Sequence, residues 1–215
     1  MGEQSTIEET FNIEKVVGLF NESLSGSDDD VGLLLYVHAY RELNKLFAVL
    51  GIIFKFVEKD VEEKEAILAN LIEGNSTAYA SVASMIAHEL QSGTPPKEQG
   101  SRTLLRLHRA LEFVILFVRQ MHDMGPDDSV SQVCRSCYEK TLAHHHGWFI
   151  RQSVSVASRT LPSREYLIKE IFAHHEKGVS QELIDKHASE FNNIATNVYG
   201  RIQKMYSKHM ILNLP

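Results

Sequence analysis

The clearest sign of a functional site in this sequence is the spacing of three arginines, Arg102, Arg106 and Arg109. Because a helix turns by about 100° per residue, Arg106 and Arg109 lie within about 40° of Arg102, on one helical face. The stretch over 100–122 is apolar on most of its other faces, which is typical of a buried helix. Arginines on such a helix must reach solvent, pair with a carboxylate or bind an anion. The pattern therefore predicts a phosphate site at the mouth of an apolar core.

A second set of charges, Asp60 and Lys64, interrupts the apolar stripe of the helix predicted over about 52–72. Ile67 and Leu71 share their face, whereas the neighbouring glutamates fall on a solvated face. An i,i+4 ion pair at the edge of the stripe is the simpler interpretation, and it stabilises a helix by only about 0.2–0.5 kcal/mol. Because inward charges also occur on the arginine stretch, a binding site that both helices build is the alternative.

Composition and charge exclude several classes of function. The chain has 215 residues, of which 43% are hydrophobic, and we expect one domain spanning residues 1–215. A net charge of −6 argues against general nucleic-acid binding. No apolar run approaches the roughly 18 residues that cross a bilayer, and the acidic N-terminus lacks the apolar segment of a secretory signal. With two cysteines and no signal, we expect a reducing, cytoplasmic location.

Apolar periodicity predicts helices throughout the chain, with glycines and prolines at the breaks. The predicted helices span about 6–23, 31–50, 52–72, 76–91 with Ser76 or Thr77 as the cap, 100–122, 129–143, 147–160, 163–171 with Ser163 as the cap, and 180–209. The apolar tail over 210–215 is expected to pack on the domain. The predicted fold class is an all-α domain of about eight helices.

Cys134, Cys137 and the histidine run over 144–146 could suggest a zinc site. The spacing does not fit a zinc finger, and there is no second cysteine pair. On a helix the two cysteines share a face with Val130, as small core residues often do. We therefore predict no metal and no cofactor. One histidine of the run is expected to face inward, and His146 is the candidate because it precedes Gly147.

Four stretches of the sequence resemble the glycolipid-transfer-protein superfamily, and within it are most similar to the ceramide-1-phosphate transfer proteins. These stretches are GIIFKFVEKDVEEK at 51–64, MIAHEL at 85–90, RTLLRLHRAL at 102–111 and HGW at 146–148. TLPSR at 160–164 and LNLP at 212–215 are also similar to that branch. The resemblance extends from about residue 45 to the end of the chain.

The resemblance implies a two-layer all-helical sandwich whose apolar interior opens to accept two lipid chains. A polar centre at the surface would hold the head group. In that centre Asp60 would accept hydrogen bonds from the ceramide amide and the sphingoid hydroxyl, and His146 would donate to the amide carbonyl. Lys64, Arg102 and Arg106 would bind the phosphate.

Three further expectations concern Arg102, Arg109 and Trp148. The resemblance implies that Arg102 sets selectivity, because the glycolipid-binding branch has a tryptophan at that position. Arg109 is a weaker candidate that would lie behind the phosphate-binding residues. Trp148 is amphipathic and adjoins the site, so it could dock on a membrane, with a core tryptophan as the open alternative.

The expected function is non-vesicular transfer between membranes of a phosphorylated sphingolipid, with ceramide-1-phosphate as the expected lipid. Its partners would be that lipid and, transiently, a membrane surface, and nothing in the sequence demands more than a monomer. A lipid sensor without net transfer and a glycosphingolipid carrier are the alternatives. A phosphatase or lipid hydrolase is disfavoured, because the sequence has no nucleophile elbow, paired metal carboxylates or glycine-rich phosphate loop.

Overall fold

The computed structural model describes residues 10–26, 29–51, 54–91, 100–125, 127–175 and 178–215. Within these ranges the chain forms helices and no strand. The α-helices are α1 (Ile13–Ser23), α2 (Leu33–Val49), α3 (Lys55–Gly74), α4 (Val82–Gln91), α5 (Gly100–His122), α6 (Val130–Lys140), α7 (Trp148–Ala157), α8 (Arg164–Ile171) and α9 (Gln181–Lys208). Short 3-10 helices lie at Leu142–His145 and Ser158–Thr160. The predicted all-α class is confirmed.

The helices form a two-layer sandwich around one large apolar core. Helix α1 packs on α2 and α9, α2 packs on α3, and α5 packs on α3, α4, α6 and α9. Phe20, Tyr36, Phe191 and Tyr206 are among the largest fully buried side chains. Helix α5 thus lies between the helix that carries Asp60 and the long final helix.

Local signals set several helix boundaries where the sequence predicts them. Ser163 caps α8 by accepting a hydrogen bond from the Tyr166 amide at 3.3 Å. Helix α5 begins and ends at the predicted residues. The break after α2 falls at Gly51, whose φ of +105° favours glycine. The predicted helical residues 6–9 and 52–53 lie outside the described ranges.

The predicted start of α4 is wrong. Residues 76–80 form turns, and the helix begins at Val82 instead of Ser76 or Thr77. The Asn75 side chain accepts from the Ala78 amide at 3.1 Å, which is the bond of a helix cap, but only a short turn follows it. The backbone then pairs with the segment before α2, where the Val82 amide donates to the Val31 carbonyl at 2.9 Å. This long-range pairing outweighs the local capping signal.

The N-terminus of α5 is anchored by Glu89 at the end of α4. The two carboxylate oxygens of Glu89 accept hydrogen bonds from the amides of Gly100 at 2.6 Å and Ser101 at 2.9 Å. A carboxylate at this position satisfies amides that have no partner within the helix and complements the helix dipole. This contact fixes where the arginine-bearing turns of α5 begin.

We expect Gly100→Ala to lower the free energy of unfolding by about 1–3 kcal/mol, because over-packing a filled core has that cost. An added Cβ at residue 100 would lie 2.5 Å from the Met85 Sδ and 3.0 Å from the Glu89 Oε1. Gly200→Ala is the matched control, since a Cβ there meets nothing within 4 Å in α9. It should raise the stability by about 0.5–1 kcal/mol. Urea unfolding measures both, and a Gly100→Ala protein as stable as the control would contradict the close approach.

No helix in the described part of the chain is long and apolar enough to cross a membrane.

Candidate functional site

Asp60 and Lys64 form a short ion pair on one face of α3. The Lys64 Nζ lies 2.6 Å from the Asp60 Oδ1 and also donates to the Asp60 carbonyl at 3.2 Å. The side chain of Lys64 is only 12% exposed, whereas that of Asp60 is 62% exposed. The ion pair foreseen as the simpler interpretation is therefore present. It holds a largely buried ammonium beside an accessible carboxylate.

The three arginines of α5 differ in their surroundings. Arg106 is exposed and forms no hydrogen bond or ion pair with the residues that the structure describes. The half-buried Arg102 donates from Nε to the Pro215 carbonyl at 3.0 Å. One terminal nitrogen of the half-buried Arg109 donates to the carbonyls of Leu212 at 2.8 Å and Leu214 at 3.2 Å. Burial, and to a lesser extent the charge of Arg106, lowers the pKa of Arg109.

The C-terminal segment therefore lies against the arginine face of α5. Its apolar residues Ile211, Leu212 and Leu214 pack on the core, which confirms the prediction that the tail packs on the domain. The carbonyl contacts with Arg102 and Arg109 were not foreseen. Only the apolar side chains of the tail gave a sequence signal, and backbone carbonyls carry none.

His146 ends the connection between α6 and α7 and is less exposed than His144 and His145. Its Nδ1 lies 2.9 Å from the hydroxyl of Tyr138 on α6, a partner that sequence reasoning missed. Burial lowers the pKa of His146, the charge of Asp60 opposes that change, and the charges of Lys64 and Arg109 reinforce it. The neutral form of the imidazole ring, which a lowered pKa favours, can donate one hydrogen bond and accept another.

Electrostatic interactions link Asp60 and Lys64 on α3, Arg106 and Arg109 on α5, and His146 in the α6–α7 connection. The charges of Asp60, Lys64 and Arg109 each shift the pKa of His146. The charge of Arg106 lowers the pKa of Arg109. The cluster thus combines cations with one accessible carboxylate. Clustered ammonium and guanidinium groups form strong, charge-assisted hydrogen bonds with a phosphate.

An apolar pocket adjoins the C-terminal half of α5. Its cavity volume is about 90 Å³, which is smaller than the roughly 300–1,000 Å³ of small-molecule sites, so a lipid chain can enter only if the pocket widens. Its lining is Phe11, Ile13, Leu43, Leu46, Leu50, Val114, Phe117, Val118, Met121, His122, Arg164, Leu167, Ile168, Ile171, Phe172, Ile184, Ala188 and Phe191. From Arg106 to Val114 the helix rises about 12 Å. One helix therefore joins the cationic cluster to an apolar interior.

An exposed apolar surface begins at the N-terminus of α7. Trp148 is 65% exposed, Phe149 80% and Ile150 46%. The rings of Trp148 and Phe149 meet edge to face with centroids 5.0 Å apart. The alternative of a core tryptophan is therefore wrong. Phe149 was missed as a surface residue, because its apolar type alone suggested the core. We call Trp148, Phe149 and Ile150 the α7 patch.

Cys134 and Cys137 are buried in α6, as expected of small core residues. Burial raises the pKa of the Cys134 thiol to about 12 and that of the Cys137 thiol to about 11. Since the thiolate is the reactive form, both cysteines have the character of buried structural residues.

Residues 31–173 match the family described as glycolipid transfer protein. The ceramide-1-phosphate transfer protein of Danio rerio is 34% identical over 216 residues, covering 96% of this chain and 99% of its own. The mouse ceramide-1-phosphate transfer protein in its apo form superposes with a TM-score of 0.87 at 32% identity, covering 95% of this chain and all of that one. The human protein in complex with 12:0 ceramide-1-phosphate gives 0.86 at 33% identity with the same coverage. This two-layer helical protein belongs to the glycolipid transfer protein family.

Proposed function

We propose that this chain is a single lipid-transfer domain, residues 1–215, that carries ceramide-1-phosphate between membranes. The observation that carries the proposal is that one helix, α5, contributes both to the cationic cluster and to the wall of the apolar pocket. Relatives about a third identical over nearly the whole chain are ceramide-1-phosphate transfer proteins, which supports the same lipid here. In this role the chain is a cytoplasmic monomer that associates with membranes only peripherally. It catalyses no reaction on the lipid.

The head group is bound by residues from three elements. Lys64, Arg102 and Arg106 neutralise the phosphate, and the exposed Arg106 is positioned to meet it first. The Asp60 carboxylate accepts from the ceramide amide N–H and the sphingoid hydroxyl. The Tyr138 hydroxyl donates to the His146 Nδ1, so the neutral ring carries its proton on Nε2 and donates to the amide carbonyl.

The arginine contacts of the C-terminal segment give Arg109 a different role from that of Arg102 and Arg106. One terminal nitrogen of Arg109 donates to the carbonyls of both Leu212 and Leu214, so this residue holds the tail in place. Its charge still contributes to the field around Arg106. Arg102 donates its Nε to the Pro215 carbonyl, and its place on the same face of α5 as Arg106 is the reason for assigning it to the phosphate.

The alkyl chains supply most of the binding free energy. Each methylene that leaves water contributes about 0.8 kcal/mol, and the pocket lining is almost entirely apolar. The contribution of the chains is the same for any ceramide-based lipid. Selectivity among such lipids therefore comes from the head-group residues.

The proposal is tested by intervesicular transfer of fluorescent ceramide-1-phosphate, galactosylceramide and phosphatidic acid, each recovered and analysed after transfer. We expect ceramide-1-phosphate to move and to be recovered unchanged. Transfer of galactosylceramide at the same rate would overturn the role of Arg102 in selectivity. Tight binding without transfer would favour a lipid sensor, and dephosphorylated or hydrolysed product would favour an enzyme.

The α7 patch is proposed as the membrane contact, because aromatic side chains with a polar edge favour the membrane–water interface. We expect Trp148→Ala/Phe149→Ala to lower the transfer rate at least about tenfold, which corresponds to about 1.4 kcal/mol of lost membrane binding. Vesicle co-sedimentation should fall in parallel. Tyr166→Ala removes another exposed aromatic residue and should leave both unchanged. If the two variants behaved alike, the α7 patch would have no special role in docking.

A further inference from the structure

Three histidines and two glutamates form a cluster that includes none of the candidate lipid-site residues. Glu14 lies in α1, His174 and His175 in the connection between α8 and α9, and His187 and Glu190 in α9. His187 is only 3% exposed, and the His175 side chain is 23% exposed. The histidine rings lie close together, with centroids of His174 and His175 4.4 Å apart and those of His175 and His187 6.0 Å apart. No role in lipid binding accounts for this cluster.

Several ring nitrogens of the cluster are buried without a hydrogen bond. The nitrogens of His187 and the Nε2 of His175 form no hydrogen bond within the described part of the chain but lie 3.2–3.6 Å from carboxylate oxygens of Glu14 or Glu190. Both nitrogens of His174 have no hydrogen-bond partner among the described residues. A buried polar atom without a partner has a large free-energy cost, so the His174 ring points to a missing ligand.

The spacing of the donor atoms fits a transition-metal ion. One donor atom each from Glu14, His174 and His175 lies within 4.8 Å of the other two. The Glu14 Oε1 is 3.6 Å from the His175 Nε2 and 3.2 Å from the His187 Nε2. Ligand bonds of about 2.0–2.1 Å in a tetrahedral zinc site put neighbouring donors about 3.3 Å apart. Small side-chain rotations would bring the donors to that distance.

The charges around the cluster suit a metal with nitrogen ligands. Neutral imidazole nitrogens and a carboxylate are ordinary ligands of such an ion. Glu14 and Glu190 supply negative charge that compensates a divalent cation. The Glu14 side chain is 47% exposed, so the ion can enter from solvent.

We propose that Glu14, His174 and His175 bind one divalent transition-metal ion, with Zn²⁺ as the ion that this donor set favours. Two imidazoles and one carboxylate, with water in the fourth position, form a known zinc coordination set. His187 lies against the Glu14 carboxylate and the Glu190 carboxylate and keeps Glu14 in place. This site uses none of the residues whose types could suggest zinc in the sequence, Cys134, Cys137 and the histidine run over 144–146.

The site connects to the wall of the apolar pocket. Phe172, which lines the pocket, has its ring centroid 5.7 Å from that of His175 and 5.8 Å from that of His187. Ile13, beside Glu14, also lines the pocket. A bound ion would tie α1 to the α8–α9 connection at this wall, and its effect is to stabilise the folded chain.

The test is Zn²⁺ titration of chelator-treated protein by isothermal calorimetry, together with the midpoint of thermal unfolding with and without Zn²⁺. We expect one Zn²⁺ per chain and a rise in the unfolding midpoint. His174→Ala/His175→Ala should abolish both effects. Glu14→Gln, a change at a half-exposed side chain that spares the fold, should weaken binding at least about tenfold. His144→Ala/His209→Ala removes two exposed histidines elsewhere and should bind as the unaltered chain does.

Two outcomes would overturn the proposal. One is the absence of Zn²⁺ binding to the unaltered chain, in which case ordered water satisfies the buried imidazoles. The other is Zn²⁺ binding that Glu14→Gln and His174→Ala/His175→Ala leave unchanged, which would place the metal at other residues. Lipid transfer by each variant reports separately whether the fold is intact.

Discussion

Replacing Arg106 by leucine is expected to lower the rate of ceramide-1-phosphate transfer by about tenfold to a hundredfold. A hydrogen bond to a charged group contributes about 1.5–3 kcal/mol, and each 1.4 kcal/mol is a factor of ten. Arg106 is exposed, so leucine removes the charge without emptying the core. Intervesicular transfer and lipid binding both measure the effect, and the free energy of unfolding should stay the same.

Arg119→Leu is the matched control for this change. Arg119 is also exposed on α5, but it lies in the last turn, away from the candidate phosphate site. Its loss alters net charge and surface apolarity as the loss of Arg106 does. Transfer should therefore be normal in the Arg119 variant. If both leucine variants transferred lipid equally, Arg106 would have to be removed from the proposed site.

Much of the fold could be predicted from the sequence, because most of the signals were local. Helix α5 has a nearly continuous apolar pattern, and its observed bounds are the predicted ones. Ser163 caps α8 as its position in the sequence indicated. The Asp60–Lys64 pair also follows from spacing alone, since i and i+4 residues face each other on any helix.

What could not be predicted depends on contacts between distant parts of the chain. The start of α4 shifted to Val82 because its backbone pairs with Val31. The tail was expected to pack, but its carbonyls reach Arg102 and Arg109 only once the fold places α9 beside α5. The cluster of Glu14, His174 and His187 likewise joins three segments that no sequence motif connects.

Trp148 shows the limit of reasoning from residue type. An apolar helix start is compatible with the core and with a membrane contact, and the sequence left both open. The exposure of Trp148 and its neighbours Phe149 and Ile150 excludes the core, and a group of large apolar residues on the surface supports the membrane contact proposed above. The resemblance of HGW to the family motif marked Trp148 but gave no such role to Phe149.

Asp60→Val is expected to impair the binding and transfer of every sphingolipid that the chain accepts, by about tenfold or more. The proposed partners of the carboxylate are the amide and hydroxyl that all ceramide-based lipids share, so the head group should not change the loss. Glu63→Val is the matched control, because Glu63 is an exposed glutamate on another face of α3. It should bind lipid as the unaltered chain does.

Phosphatidic acid separates the role of Asp60 from that of Arg106, because this lipid has the phosphate but lacks the amide. In a competition assay against fluorescent ceramide-1-phosphate, Arg106→Leu should weaken phosphatidic acid as a competitor. Asp60→Val should not, since it releases the Lys64 ammonium, now 2.6 Å from the Asp60 Oδ1, for the phosphate. If Asp60→Val weakened both lipids equally, the carboxylate would act by positioning Lys64 and not by reading the amide. The two variants together therefore distinguish the residue that binds the phosphate from the residue that binds the amide, Arg106 on α5 from Asp60 on α3.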